Sequence, residues 1–422
     1  MNGLHIGTAE KQGRPAPAII PDSIRDQHIY IAGKTRRGKS TLIQNMVLSD
    51  LLNGYGLAVI DPHGDLIEEQ ILPIIPENRI EDVILFDPND TEYPIGFNMF
   101  RVSTARERQQ MRSDIPVAIE RLTSDADDRW TQLTRHLFRV VVAILIQDEK
   151  NIHTLLDVRR ILTDKTYLDK IIGNDEFWNS MIEEVSNQRT IDALLRRLNM
   201  MLLDEQVRDI LCAYESNFNF REVMDERKIF LANLSTGNLG EHISGVFGSL
   251  LISKMQLTAM SRANQKQEDR VPFALYVDEF QNFVGAGFDK ILSEAGKYKL
   301  YLTVAHQFVA QLAEAERHAI FGNVGTFIIF NLGYRDANAV AHEFTHFTED
   351  EIVKLPPYHT FTRIGEAHND FSMTTLPPPE VDYNFSEQIK ELSRDKYCRK
   401  EEEQVLEKQT DKPAKEEPQF YE

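Results

Sequence analysis

Cysteine is almost missing from this chain: its 422 residues carry two, Cys212 and Cys398. Two thiols can neither hold a disulfide framework nor build a cysteine-rich zinc site, so the fold must rest on an apolar core. Long apolar runs are missing as well. The longest, Phe138 to Ile146, is short and contains Arg139, so no segment is expected to reach the length that crosses a bilayer. The opening MNGLHIGTAEKQGR lacks the apolar segment of a signal peptide, and the expected location is the cytoplasm. Positive charge is in deficit, with 47 Lys and Arg against 66 Asp and Glu and a net charge of −19. That balance argues against a protein that coats nucleic acid with its outer surface. Hydrophobic residues make up 42%, enough at this length for one large domain and a subdomain.

What the chain does have is the stretch HIYIAGKTRRGKSTL from His28 to Leu42. Gly33, Gly38, Lys39 and Ser40 satisfy the pattern G-x-x-x-x-G-K-[ST] between an apolar β-branched run and a helical pattern, the context a P-loop requires. The two glycines let the backbone turn so that its N–H groups and the helix start surround phosphate oxygens. The candidate phosphate-binding residues are Gly33, Lys34, Thr35, Arg36, Arg37, Gly38, Lys39, Ser40 and Thr41. Lys39 reaches the β- and γ-phosphates, and the Ser40 hydroxyl is the expected ligand of a phosphate-bound Mg²⁺.

Short apolar pieces at Leu4–Ile6 and Ala16–Ile20 predict lead-in strands over 1–27. A strand near Ile29–Ala32 and a helix from about Lys39 to Leu52 follow, then strands at Leu57–Asp61 and Val83–Phe86. Strands alternating with helices predict a parallel sheet. Over 104–219 the pattern is amphipathic helix throughout, as in Leu137–Ile146 and Ile191–Leu203, which predicts an all-α insertion. The α/β core, 28–103, resumes over 220–385 with strands at Lys228–Leu234, Phe273–Val277, Leu300–Ala305 and Thr326–Phe330. Two edge strands are expected at His359–Ile364 and Phe371–Leu376. From Ser386 to the end at 422 the sequence is charged and poor in apolar residues, which predicts a helix fraying into a disordered tail.

The strand Phe273–Val277 ends in Asp278 and Glu279. A carboxylate at the end of a strand neighbouring a P-loop can hold Mg²⁺ through water, and the next one can polarise the attacking water. An apolar run capped by acids is a common strand end, and it gains this meaning only beside the P-loop. Gln307 follows the strand Leu302–Ala305, where an amide can sense the γ-phosphate. His63 and Asp65, after the strand ending at Asp61, lack a third metal ligand and read as a loop buttressing the pocket. No N-K-x-D guanine-reading motif follows, which favours ATP over GTP.

The motifs GKTRRGKST, AVIDPHGDL, FDPND, FLANLSTGNLG, YVDEF, AHQF and FGNVGTFIIFNLGYRDA fall in an order that resembles the HerA/FtsK superfamily of DNA-pumping ATPases, nearest its type IV secretion coupling-protein branch. The resemblance implies a RecA-like α/β core with a mainly parallel sheet and an inserted all-α domain. It further implies a homo-oligomeric ring, commonly a hexamer, with ATP and Mg²⁺ at subunit interfaces and DNA in the channel. By motif, Lys39, Glu279 and Gln307 carry catalysis, and Ser40 and Asp278 hold the metal. Arg-Lys and arginine positions of the family match Gly296 and Asn331 here. Lys297 and Arg335 are therefore the candidates for the positive charge supplied to a neighbour's γ-phosphate. Partners implied are secretion-system or relaxase-like proteins, with membrane contact through a partner; a soluble translocase acting with a nuclease is the alternative within the fold. A nucleotide-binding assembly module that moves no DNA is the alternative of another class.

Overall fold

Six strands in this chain are buried at every position: IYIA, GLAVID, IFLAN, FALYV, LYLTVAH and TFII. Strands of that kind need cover on both faces, and they are found here at the centre of a sheet layered with helices. The computed structural model describes residues 3–11, 13–102, 104–122, 130–283 and 288–398. Its strands are β1 (Gly3–Lys11), β2 (Arg14–Pro21), β3 (Ile29–Ala32), β4 (Gly56–Asp61), β5 (Val83–Phe86), β6 (Ile229–Asn233), β7 (Phe273–Val277), β8 (Leu300–His306), β9 (Thr326–Ile329), β10 (His359–Ile364) and β11 (Asp370–Thr375). They form one sheet in the order β2-β1-β11-β10-β9-β3-β8-β7-β4-β6-β5.

Seven strands, from β9 to β5, run parallel. The other four join them antiparallel, so the sheet is mixed. The expectation of edge strands at His359–Ile364 and Phe371–Leu376 is corrected: β10 and β11 lie inside, and the hairpin β1–β2 covers β11 to form the outer edge. Sequence order hides this, because the pairing of β1 with β11 joins opposite ends of the chain, as in Gly7 opposite Thr375.

Period-two alternation divides the strands between two cores. On β3, Ile29 and Ile31 face the helix α1 (Lys39–Leu52) with Leu42 and Met46, while Tyr30 and Ala32 face the opposite layer. That layer receives the residues between β5 and β6, which are helical wherever they are regular. Their starts are written into the sequence as capping side chains: Asp164, Asp175, Asn187 and Asp204 each accept a backbone N–H of the following first turn. Caps of this kind contribute about 1 kcal/mol each.

The helix Glu241–Ser261 corrects the expectation about membrane length. With the turn to Asn264 it is long and apolar enough to span a bilayer, its apolar residues being spread among Ser, Gly and Thr rather than in one run. It is packed in the core, and its Lys254 ammonium is paired with Glu107. The helix Ser386–Tyr397, placed with the tail from sequence, docks on the edge strand β5, with Arg394 paired to Asp90 at 2.7 Å. Residues 399–422 of the expected tail lie outside the described residues.

A buried triad fixes α1 to the sheet. The Arg25 guanidinium donates to both Asp50 carboxylate oxygens, at 2.6 and 2.8 Å, and the Tyr276 hydroxyl donates to one of them at 2.6 Å. Truncating one member of a buried ion pair strands the other charge. Asp50→Ala is expected to lower the free energy of unfolding by about 3–5 kcal/mol, and Tyr276→Phe by about 1–3 kcal/mol, both read from denaturant unfolding.

Candidate functional site

The loop after β3 is held from beneath by the neighbouring strands. Gly33 N–H donates to the His306 carbonyl at 3.3 Å, and Lys34 N–H to the Asn331 carbonyl at 3.0 Å. Gly38 has φ of 110°, in the region that favours glycine, and directly afterwards α1 begins at Lys39. The Lys39 ammonium is buried and donates to the Gly33 carbonyl at 2.7 Å, closing the loop on itself. The Thr35 hydroxyl donates to Gln307 Oε1 at 2.9 Å. The amide expected to sense phosphate is thus joined to the loop that surrounds it.

Parallel pairing brings the acids to the same end. Ile60 lies opposite Val277, so Asp61 and Asp278 leave their strands side by side, and Asp278 N–H donates to the Ile60 carbonyl at 3.1 Å. Burial, then the neighbouring Glu279 and Asp61, push the Asp278 carboxyl up to about 7. Burial also raises Asp61, against the N–H groups of His63 and Ile67 that it accepts at 2.9 and 3.1 Å. Lys39 is lowered by burial, although Glu279 and Asp278 oppose the shift. His306 falls to about 3 through burial and the nearby Lys39, so the ring is neutral, with Nε2 hydrogen-bonded to the Tyr30 hydroxyl. Glu279 sits at φ 41° and ψ 49°, a left-handed conformation that a non-glycine residue adopts when its surroundings impose it. Its Oε2 accepts from the Gln281 amide at 3.0 Å.

These groups line one cleft of about 570 Å³. Of the expected residues, Thr35, Arg36, Gly38, Lys39, Ser40, Thr41, Asp278, Glu279 and Gln307 form its walls. Gly33, Lys34 and Arg37 belong to the loop but contribute backbone bonds behind it. Lys297 and Arg335 are not on the cleft wall. Lys297 lies within the turn Ala295–Tyr298 and its carbonyl accepts from Arg270, and Arg335 is in the first turn of the helix Tyr334–Ala341.

The two positions matched to family arginines are closed to charge for different reasons. A Cβ on Gly296 would come within 2.1 Å of the Asp26 carbonyl oxygen, so no side chain fits. Asn331 is buried, its carbonyl holding Lys34 and its amide bonded to the Val353 carbonyl. Asp61 and Tyr358 also line the cleft. Asp61 was readable only as part of a supporting loop, and Tyr358 only as a member of the segment EIVKLPPYHTFTRIG, which shares in the resemblance but gives the residue no role.

The Ser40 hydroxyl and the Asp278 carboxyl are hard oxygen donors of the kind Mg²⁺ takes beside phosphates. The fit is supported by Asp278, a buried acid beside Glu279 and Asp61 that Lys39 and the Glu279 N–H offset only in part. Among the described residues no three His, Cys, Asp or Glu side chains are grouped so that they could hold a metal by themselves; His63 and Asp65 lie on the cleft wall. Arg101 is paired with Glu215, Arg108 with Glu149, and Arg112 donates to the Gln147 side chain. Trp130 is buried against Phe138.

No family model matches the sequence, and no curated protein matches it. Solved structures do share its shape. Plasmid coupling protein TrwB in complex with a non-hydrolysable ATP analogue is 14% identical with a TM-score of 0.64, over 90% of this chain and 95% of that one. The same protein with ADP and Mg²⁺ is 14% identical with a TM-score of 0.62, over 91% and 96%. VirB4 of Thermoanaerobacter pseudethanolicus is 13% identical with a TM-score of 0.60, over 90% and 97%. At such identities the likeness is one of fold: a mixed α/β architecture with a mostly parallel sheet, shared along nine-tenths of the chain.

Proposed function

We propose that this chain is an ATP-hydrolysing motor that assembles into a ring, commonly a hexamer, and translocates DNA, alone or with attached protein. The observation that carries the reading is the convergence of Lys39, Ser40, Asp278, Glu279 and the Thr35–Gln307 pair on one cleft. A phosphate site alone would suit a kinase or a switch; the strained acid beside the buried one adds the means to activate water. Lys39 would leave the Gly33 carbonyl for the β- and γ-phosphates. Ser40 and Asp278 would hold Mg²⁺, which supplies charge neutralisation on the phosphates. Glu279 would take the proton of the attacking water, and Gln307 would report the γ-phosphate to the loop through Thr35.

The coupling-protein and VirB4 likenesses support a motor of conjugative type IV secretion, working in the cytoplasm or recruited to the inner face of the membrane by a partner. A translocase paired with a nuclease has the same site, and a co-purifying nuclease would separate the two. The net charge of −19 and the internal pairing of Arg101, Arg108 and Arg112 favour a different reading, an assembly module that binds nucleotide and no DNA.

ATP turnover measured with and without DNA distinguishes them. Wild type is expected to show DNA-stimulated hydrolysis whose DNA affinity falls with salt, and Lys39→Ala to abolish it. Glu279→Gln is expected to retain ATP binding while turnover falls by about 10²–10⁴-fold. Turnover that ignores both DNA and Lys39 would sink the motor reading. Sizing with ATP, with and without DNA, reads the ring directly.

The raised Asp278 carboxyl gives a second check. The folded protein holds this proton up to about pH 7, the unfolded chain only to about pH 4. Stability contributed by this group therefore falls as pH rises through that window, because the native state must ionise a buried acid. Asp278→Asn is expected to raise the melting temperature of the nucleotide-free protein more at pH 8 than at pH 5, while abolishing Mg²⁺-dependent hydrolysis.

A further inference from the structure

Tyr358 has no part in the hydrolytic scheme, yet the fold holds it in an unusual way. It precedes β10 with φ of 64°, a region that bulky residues seldom adopt. Both its backbone groups are engaged: the N–H donates to the Arg37 carbonyl of the phosphate loop at 2.9 Å, and the carbonyl accepts the Thr375 N–H at 2.9 Å. The ring then lies on Gly38, where a Cβ would come within 2.7 Å of Tyr358 Cδ1. It is not a filler for the space under the loop, because Phe330 occupies that space and is fully buried, whereas Tyr358 stays 47% exposed on the cleft wall.

A nucleotide whose phosphates are held by Lys39 and the start of α1 has a ribose and a planar base still to place. The carboxyl groups of Asp61, Asp65, Glu69 and Asp278 on the wall offer no flat apolar surface to the face of a base. Among the described residues, Tyr358 is the one Phe, Tyr or Trp on the wall. We infer that Tyr358 is the stacking platform for the base, and thus the residue by which the site prefers a nucleoside triphosphate to bare polyphosphate. The inference rests on the nucleotide-binding part of the proposed function. Stacking reads the face of a ring, so it serves ATP and GTP alike.

Calorimetric titration of the full chain with ATP, GTP and inorganic tripolyphosphate, each with Mg²⁺, tests this in wild type, Tyr358→Phe and Tyr358→Ala. Tyr358→Ala is expected to weaken both nucleotides by roughly 5- to 100-fold and to leave tripolyphosphate binding unchanged, with Tyr358→Phe close to wild type. Equal loss of tripolyphosphate binding in Tyr358→Ala would make the residue a brace for the loop and overturn the inference. Unchanged nucleotide affinity would overturn it too, by placing the base elsewhere. Wild type binding none of the three ligands would instead defeat the phosphate site itself, and the proposed function with it.

Discussion

Everything at the cleft depends on the parallel register of four strands. Ala32 lies opposite His306, Val277 opposite Val304, and Ile60 opposite Val277. The residues that follow these positions, Gly33, Gln307, Asp278 and Asp61, therefore emerge in a row at the carboxyl ends of β3, β8, β7 and β4. A one-residue slip in any pair would turn the apolar faces over and separate the row. Burial of all four strands on both faces makes such a slip costly, so the same hydrophobic burial that stabilises the sheet also aligns the chemistry.

The row carries stored electrostatic tension. Asp278 is buried beside two other acids, and the neighbouring Lys39 is buried too and bonded to the loop's own carbonyl. A phosphate–metal complex would relieve both, giving Lys39 an anion and Asp278 a cation. The triad of Arg25, Asp50 and Tyr276 has the opposite character, since every charge in it is matched within the fold, and it anchors α1 while the loop in front of it stays responsive.

How much of this was legible depended on how local the signal was. The phosphate loop, contained within GKTRRGKST, and the acids ending FALYVDEF can be read without knowing strand order, and both reach the cleft. The position of β10 and β11 inside the sheet could not be read, because it follows from pairing between residues near 7 and near 375. The membrane-length helix escaped for a different reason: Ser, Gly and Thr dilute its apolar residues, and its burial depends on partners far away in sequence. Gly296 shows the reverse case. From sequence it looked like a lost arginine, whereas the approach of the Asp26 backbone leaves no room for any side chain there. The placement of Tyr358 on the cleft could not be read, because it comes from a positive φ and a contact with a loop more than three hundred residues earlier.

The two margins of the sheet have a consequence for how copies of this chain can meet. At one margin β2 carries Pro15, Pro17 and Pro21, residues with no N–H to offer an incoming strand. At the other, Ser393 from the helix Ser386–Tyr397 accepts the outward N–H of Leu85 at 2.9 Å, and the helix lies along β5. Both margins thus offer a neighbour's backbone fewer partners than bare edge strands would, which works against edge-to-edge stacking of an eleven-stranded sheet. Contacts between copies that use side-chain surfaces leave the strand pairing of each sheet untouched.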